Sequence, residues 1–168
     1  MKNLTTIFVA IAMLGLLSCG GNENEADESA DTSSKSATET PTENSTVSDV
    51  KPSERIDLTN KGVGPVTEDV VLEETVNPDL ALKGEAIFKA NCMACHRTDK
   101  KYVGPPLKGI TERRRPEWIM NMIMDPHGMT QNDPLARELL MEFNGSPMAN
   151  QNITKEEARQ LVEYFRSL

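Results

Sequence analysis

The carboxy-terminal half of this 168-residue chain reads as an all-α domain. Three observations carry that expectation. Segments of helical spacing open on capping residues, often with proline in the next position; apolar residues recur at that spacing within them; and no run inside residues 78–168 alternates over strand lengths.

Taken in order, the elements begin with a leader. Residues 1–18 carry Lys2, the apolar run IFVAIAMLGLL and then the small residue Ser18, the pattern of a secretory signal peptide. The run is short for a membrane span. The junction LLSC is similar to a bacterial lipobox, which makes Cys19 the expected lipidation site; an ordinary secreted protein with a chance cysteine is the other reading. Residues 19–51 follow as an acidic tether. Between Gly20 and Val50 lie 11 Ser/Thr and 8 Asp/Glu with no aromatic side chain, too little apolar surface to offset the entropy of ordering, so disorder is expected there. Residues 52–77 regain valines at Val63, Val66, Val70 and Val71 around the turn-forming KGVGP. They read as an extended segment packed on the domain, with a plain linker as the alternative.

Four helices are then expected in the domain, residues 78–168. Asn77 caps the first with Pro78 at its opening position, and Leu80, Gly84, Ile87 and Phe88 lead at helical spacing into Cys92. The second opens at Pro116 with PEWIMNMIM and stops near Asp125 because Pro126 follows. Asp133 and Pro134 begin the third, which Asn144-Gly145 terminates. The fourth runs from a capping box of Thr154 and Glu157, with Ala158, Leu161, Phe165 and Leu168 as its apolar stripe. A domain of about 90 residues with so few aromatics has a thin core. A flat apolar cofactor at its centre would remove that difficulty.

Charge divides along the chain. Residues 1–77 hold 5 basic and 14 acidic side chains, residues 78–168 hold 13 and 12, and the whole has a net charge of −8. The acidity therefore belongs to the leader and tether, and nothing resembles a nucleic-acid-binding domain.

The chemistry concentrates in NCMACHRT, residues 91–98. C-x-x-C-H is the attachment signature of c-type haem: Cys92 and Cys95 add to the two vinyl groups on one porphyrin edge, and His96 meets the iron. A thioredoxin-like pair would want a βαβ context that this helical region lacks. A zinc site needs four ligands, and beyond these three the only other histidine is His127. An exported protein would not keep a free reduced pair, and thioether formation consumes both thiols.

On these residues the domain resembles the class I c-type cytochromes, small monohaem electron carriers. The first helix with CMACH, the loop GPPL (Gly104 to Leu107), the loop PMANQNIT (Pro147 to Thr154) and the last helix EARQLVEYFRSL all match the family pattern. The leader further resembles membrane-anchored bacterial lipoprotein cytochromes, whereas residues 52–76 lie outside the basic family pattern. The resemblance implies a small cytochrome c fold around one covalent haem c with its iron. It implies that the Pro105 carbonyl accepts a hydrogen bond from His96 and fixes the ring. For the sixth ligand, loop position leaves Met129 and Met148, the remaining methionines being removed with the leader, inside the motif or on helices. The family pattern selects Met148; Met129, His127 and an open iron are the alternatives. Trp118 is implied to give its indole N–H to a haem propionate, with core packing as an equal reading. Arg113, Arg114 and Arg115 would offset propionate charge, present a docking patch, or simply form a solvated run.

The function so implied is not enzymatic. A closed His/Met iron makes a single-electron carrier, a monomer tethered to a membrane face, exchanging electrons in transient encounters with respiratory donor and acceptor proteins. The haem domain would lie in the periplasm, or at the cell surface. The alternatives are a haem enzyme or gas sensor with a labile distal ligand, and a fixed haem subunit of a terminal oxidase or reductase complex.

Overall fold

A computed structural model describes residues 50–168. The leader, Cys19 and nearly all of the tether lie outside the described residues.

Six helices form: α1 (Pro78–Asn91), α2 (Ile110–Arg113), α3 (Pro116–Met124), α4 (Pro126–Asn132), α5 (Pro134–Glu142) and α6 (Lys155–Arg166). Among the described residues there is one isolated bridge, Asp57 to Arg114, and no strand. None of these helices is long and apolar enough to cross a membrane. The all-α expectation holds, and the four anticipated helices are α1, α3, α5 and α6. The two additional ones are short. α4 goes unsignalled if Pro126 is taken only as a stop. A proline that ends one helix can open the next, and Asp125 serves both, closing α3 through its backbone and accepting from Gly128 N–H at 2.9 Å to cap α4. Asp133 repeats the device between α4 and α5, accepting from Ala136 N–H at 2.7 Å.

The architecture rests on the crossing of α1 with α6. Gly84 is buried in α1 against the backbone of Gln160; a Cβ there would run into the Gln160 carbonyl and lie 2.9 Å from Tyr164 Cβ. Beside this contact Phe88 packs on Tyr164 and Phe165, with ring centroids 5.4 and 6.2 Å away, the second pair edge-on at 90°. Leu161, Val162, Met120 and Met129 are among the fully buried side chains that continue the core. Met141 is 72% exposed on α5, and Tyr102 is 52% exposed with the Arg97 guanidinium over its ring.

Residues 52–76 run along the domain as a strap without helix or strand. Val66 is buried, and Val70 and Leu72 pack on the core, but Val63 and Val71 face outward. Lacking a ladder, the strap must place its backbone polar groups on side chains. Asn121, buried in α3, accepts from Val66 N–H at 2.8 Å and donates to the carbonyls of Lys61 and Val66. Glu117 accepts from Val70 N–H at 2.6 Å. Arg166 donates to the carbonyls of Glu73 and Glu74, and Glu163 accepts from Asn77 N–H where the strap enters α1.

Glu117 and Glu163 are fully buried carboxyls. Burial, the largest single effect on each, raises its pKa. For Glu117 the hydrogen bonds from Arg115 and Val70 outweigh it, and for Glu163 those from Asn77, Arg159 and Arg166 do, so both carboxyls end below the usual range. A carboxyl lowered in the folded state contributes stability above its unfolded pKa and loses it as pH falls through the folded value.

Two outcomes follow for equilibrium denaturant unfolding. Gly84→Ala is expected to cost about 3 kcal/mol by forcing α1 from α6; a loss below about 0.5 kcal/mol would show that the crossing relaxes freely. Glu117→Gln is expected to cost about 2 kcal/mol at pH 7, with the difference from wild type shrinking as pH drops below about 4.5. A difference independent of pH would mean that the Glu117 charge does not hold the strap.

Candidate haem-binding site

Where α1 ends, the backbone turns tightly: Cys95 N–H and His96 N–H both donate to the Cys92 carbonyl, at 3.0 and 2.9 Å. The following loop folds back onto this turn. Gly104 N–H donates to the Cys95 carbonyl at 2.9 Å, and Lys108 N–H to the Thr98 carbonyl at 2.8 Å. This returns Pro105 to the imidazole, and His96 Nδ1 donates to the Pro105 carbonyl at 3.0 Å. Gly104 makes that approach possible, since a Cβ there would lie 2.5 Å from His96 Cε1.

A carbonyl oxygen only accepts, so Nδ1 carries the proton and Nε2 keeps its lone pair. Burial lowers the His96 pKa, the bond to Pro105 opposing it in part; the ring is a neutral ligand in waiting. Burial also pushes the Cys92 thiol up to about 11, with Cys95 adding to the effect. Such a thiol is protonated at neutral pH, unlike an activated redox cysteine. Among the described residues no three His, Cys, Asp or Glu side chains gather as metal ligands.

These residues line one cleft of about 210 Å³. Cys92, Cys95, His96 and Pro105 lie on it together with Leu107, Ile110, Trp118, Ile119, Ile123, Leu139, Phe143 and Met148. The two thiols, an imidazole with a free lone pair, a thioether and apolar walls suit a flat, largely apolar iron porphyrin. Near the thiols the cleft reaches the surface, where Cys95 is exposed and Met93 and Val103 are each 43% exposed.

The two loop methionines part company here. Met148 lines the cleft, half-buried. Met129 is fully buried on α4 rather than on a loop, and its sulfur accepts from Val63 N–H of the strap at 3.2 Å. Neither Met129 nor His127, which is exposed, is among the residues lining the cleft.

Trp118 finds a partner within the protein. It lies on the cleft and is buried, but its indole N–H donates to Asp133 Oδ1 at 3.2 Å. The donor expected to meet a propionate here meets the carboxylate that also caps α5. In the sequence Asp133 reads only as a cap, and its approach to Trp118 depends on α4, a helix the sequence pattern does not announce.

The three arginines also separate. Arg115 pairs with Asp69 and Glu117, each at 2.9 Å. Arg113 and Arg114 both line the cleft, and Arg114 is 1% exposed. Burial, aided by Arg113, lowers the Arg114 pKa. Ser53 of the strap reaches the same cleft, a contribution without signal in its surrounding sequence.

Comparison with known proteins places this geometry. The profile of the family described as Cytochrome c matches residues 81–168. Cytochrome c-551 of Stutzerimonas stutzeri is 36% identical over 98 residues, covering 55% of this chain and 84% of that protein. Cytochrome c2 of Rhodopseudomonas palustris is 59% identical over 34 residues, but these cover only 20% of this chain and 29% of that protein. Among solved structures, a cytochrome c from Rhodothermus marinus superposes with a TM-score of 0.59 at 40% identity, over 62% of this chain and 88% of that one. The match over residues 81–168 and the shared fold agree with the cleft: the chain belongs to the cytochrome c family, whose members carry covalently attached haem c with its iron.

Proposed function

We propose that the protein is a single-electron carrier with a closed His/Met iron site, tethered to a membrane face. Cys92 and Cys95 would hold the haem as thioethers, His96 would be the proximal ligand and Met148 the distal one. The observation that carries this reading is the division of the methionines: Met148 lines the cleft, whereas the Met129 sulfur is taken by the strap. Bound haem would supply a one-electron iron couple, and methionine ligation in an apolar cleft favours the ferrous state relative to bis-histidine ligation.

The chain's own residues do the rest. Pro105 holds the imidazole in one tautomer and orientation through the 3.0 Å hydrogen bond. Apolar walls from Leu107, Ile119 and Leu139 limit water. The exposed rim beside Cys95 offers a small contact for brief encounters with respiratory donor and acceptor proteins. Arg97, Lys100, Lys101 and Lys108 lie in the sequence around that rim and suit partners with acidic faces. An acylated Cys19 would confine the carrier to a bacterial membrane, with the domain in the periplasm and the acidic tether giving it reach. The protein would act as a monomer and not as an enzyme.

The test uses the full chain matured in a host that attaches haem c. CO added to the reduced protein is expected to leave its visible spectrum unchanged over minutes; a prompt change would overturn the closed site and favour the enzyme or sensor. Met148→Ala is expected to bind CO promptly and to lower the midpoint potential. If that variant keeps the wild-type spectrum and potential, Met148 is not the ligand. Co-purification with a larger complex through moderate salt would replace the mobile carrier with a fixed subunit.

A further inference from the structure

α5 carries the chain toward Met148, yet little of it is buried. Its buried residues, Leu135 and Ala136, both lie in the first turn. Beyond that turn Leu139 packs in part on the core, and the polar fastenings come from the strap, which runs along α5 in the opposite direction. Asn60 donates to Asp133 at 2.7 Å, Arg55 pairs with Glu138 at 2.7 Å, and Ser53 meets Glu142. The last contact is double. Ser53 N–H donates to Glu142 Oε2 at 2.8 Å and the Ser53 hydroxyl to Oε1 at 2.6 Å, across 89 positions of sequence. Both oxygens of one carboxylate are engaged by one residue, and bonds to a charged acceptor are the strong kind. Ser53 is itself fixed in a tight turn, in which the Glu54 and Arg55 N–H groups donate to the Lys51 carbonyl at 2.9 and 3.0 Å. Arg114 holds the carbonyls of Pro52 and Arg55 on either side of it.

Glu142 is the last residue of α5, six positions before Met148. From there the backbone stays bonded to the helix end. Phe143 N–H donates to Leu139, Asn144 to Met141, Gly145 to Leu140 and Ser146 to Phe143, at 2.8 to 3.1 Å. Asn144 and Gly145 take the left-handed conformation, with φ of 58° and 70°, as a helix-ending turn requires. Ser146, Pro147 and Met148 then line the cleft. Among the described residues, the one hydrogen bond from residues 147–153 to another element joins Asn150 to the Met124 carbonyl, exposed and 3.3 Å long. The place of Met148 is therefore set from the ends of its loop, and the near end is the last turn of α5.

We infer that Ser53 and Glu142 are positioning residues for Met148. Their clamp fixes the last turn of α5 and, through the bonded turn that follows, the point at which the thioether enters the cleft. This rests on Met148 as the proposed distal ligand, and it gives a role to a strap residue outside residues 81–168, the part matched by the family. With the clamp closed the sulfur returns to one place after each excursion. With it open the loop ranges more widely, and outside ligands compete with the sulfur more often.

The test follows CO uptake by the reduced, haem-loaded full chain over hours. Glu142→Ala removes both acceptors and is expected to speed uptake about tenfold. Glu142→Gln is expected to restore most of the wild-type rate, since its carboxamide accepts from Ser53 N–H and donates to the hydroxyl. Ser53→Ala loses one bond without changing any charge. It is expected to speed uptake by a smaller factor and to lower the midpoint potential, because weaker thioether ligation favours the ferrous state less. Glu117→Gln, which loosens the strap at α3, is expected to keep the wild-type rate. The inference is overturned by a wild-type rate in Glu142→Ala, or by a wild-type rate and potential in Ser53→Ala. Equal acceleration by Glu117→Gln overturns it too, since any loosening of the strap would then free the sulfur. So does a Glu142→Gln rate no nearer wild type than that of Glu142→Ala, which would make charge the cause. Should Glu142→Ala not fold, Ser53→Ala decides. Failure of the ligand reading looks different: the wild-type chain itself would take up CO promptly, or Met148→Ala would match the wild type.

Discussion

Everything in this domain depends on how closely α1 can approach α6. The contact is between backbones, with Gly84 against the Gln160 carbonyl, and it leaves no room for even a methyl group. That proximity brings Phe88 within 5.4 Å of Tyr164 and 6.2 Å of Phe165, and it fixes where α1 ends. Since the Cys92–His96 turn begins at that end, one small residue in the middle of a helix positions the thiols and the imidazole relative to the core. The site inherits its rigidity from a packing contact, as a ligand set on a loop generally must.

The strap poses the opposite problem. It contributes few large apolar side chains, yet it is held along the domain because buried polar groups of the helices reach out to its backbone. Asn121, Glu117 and Arg114 would each be costly inside a small core. They sit there because an irregular segment has unpaired N–H and C=O groups that only side chains can meet. Charge and amide in the core are thus the complement of a segment without secondary structure.

Much of this is legible in the sequence. The long helices are, because proline at their openings and the Thr154–Glu157 box act locally, and the C-x-x-C-H turn is, because its chemistry lies within five residues. The Pro105 contact is reached through family likeness, and the structure gives it a cause in the missing Cβ of Gly104. What the sequence conceals depends on distant partners. α4 hides behind a proline that reads as a stop and acts also as a start. The fate of the Trp118 N–H depends on Asp133, 15 positions away. RRR looks like a single solvated run, but strap carbonyls 59 and 62 positions away and two acidic side chains sort it into three different environments. No local pattern reports such pairings.

The hydrogen bond from Val63 to the Met129 sulfur bears on time as well as on structure. If Met148 is the iron ligand, as proposed, the same small domain holds a second thioether, and two similar donors invite exchange. Here the rival is released only if the strap lifts from α3 and α4, which means breaking its bonds to Asn121 along with the one to sulfur. Exchange of one sulfur for the other would therefore be governed by a cooperative local opening, slower than the fluctuations of a single loop. On the proposed ligation the strap would act as a kinetic lock on ligand identity, one that holds while electrons are exchanged many times over.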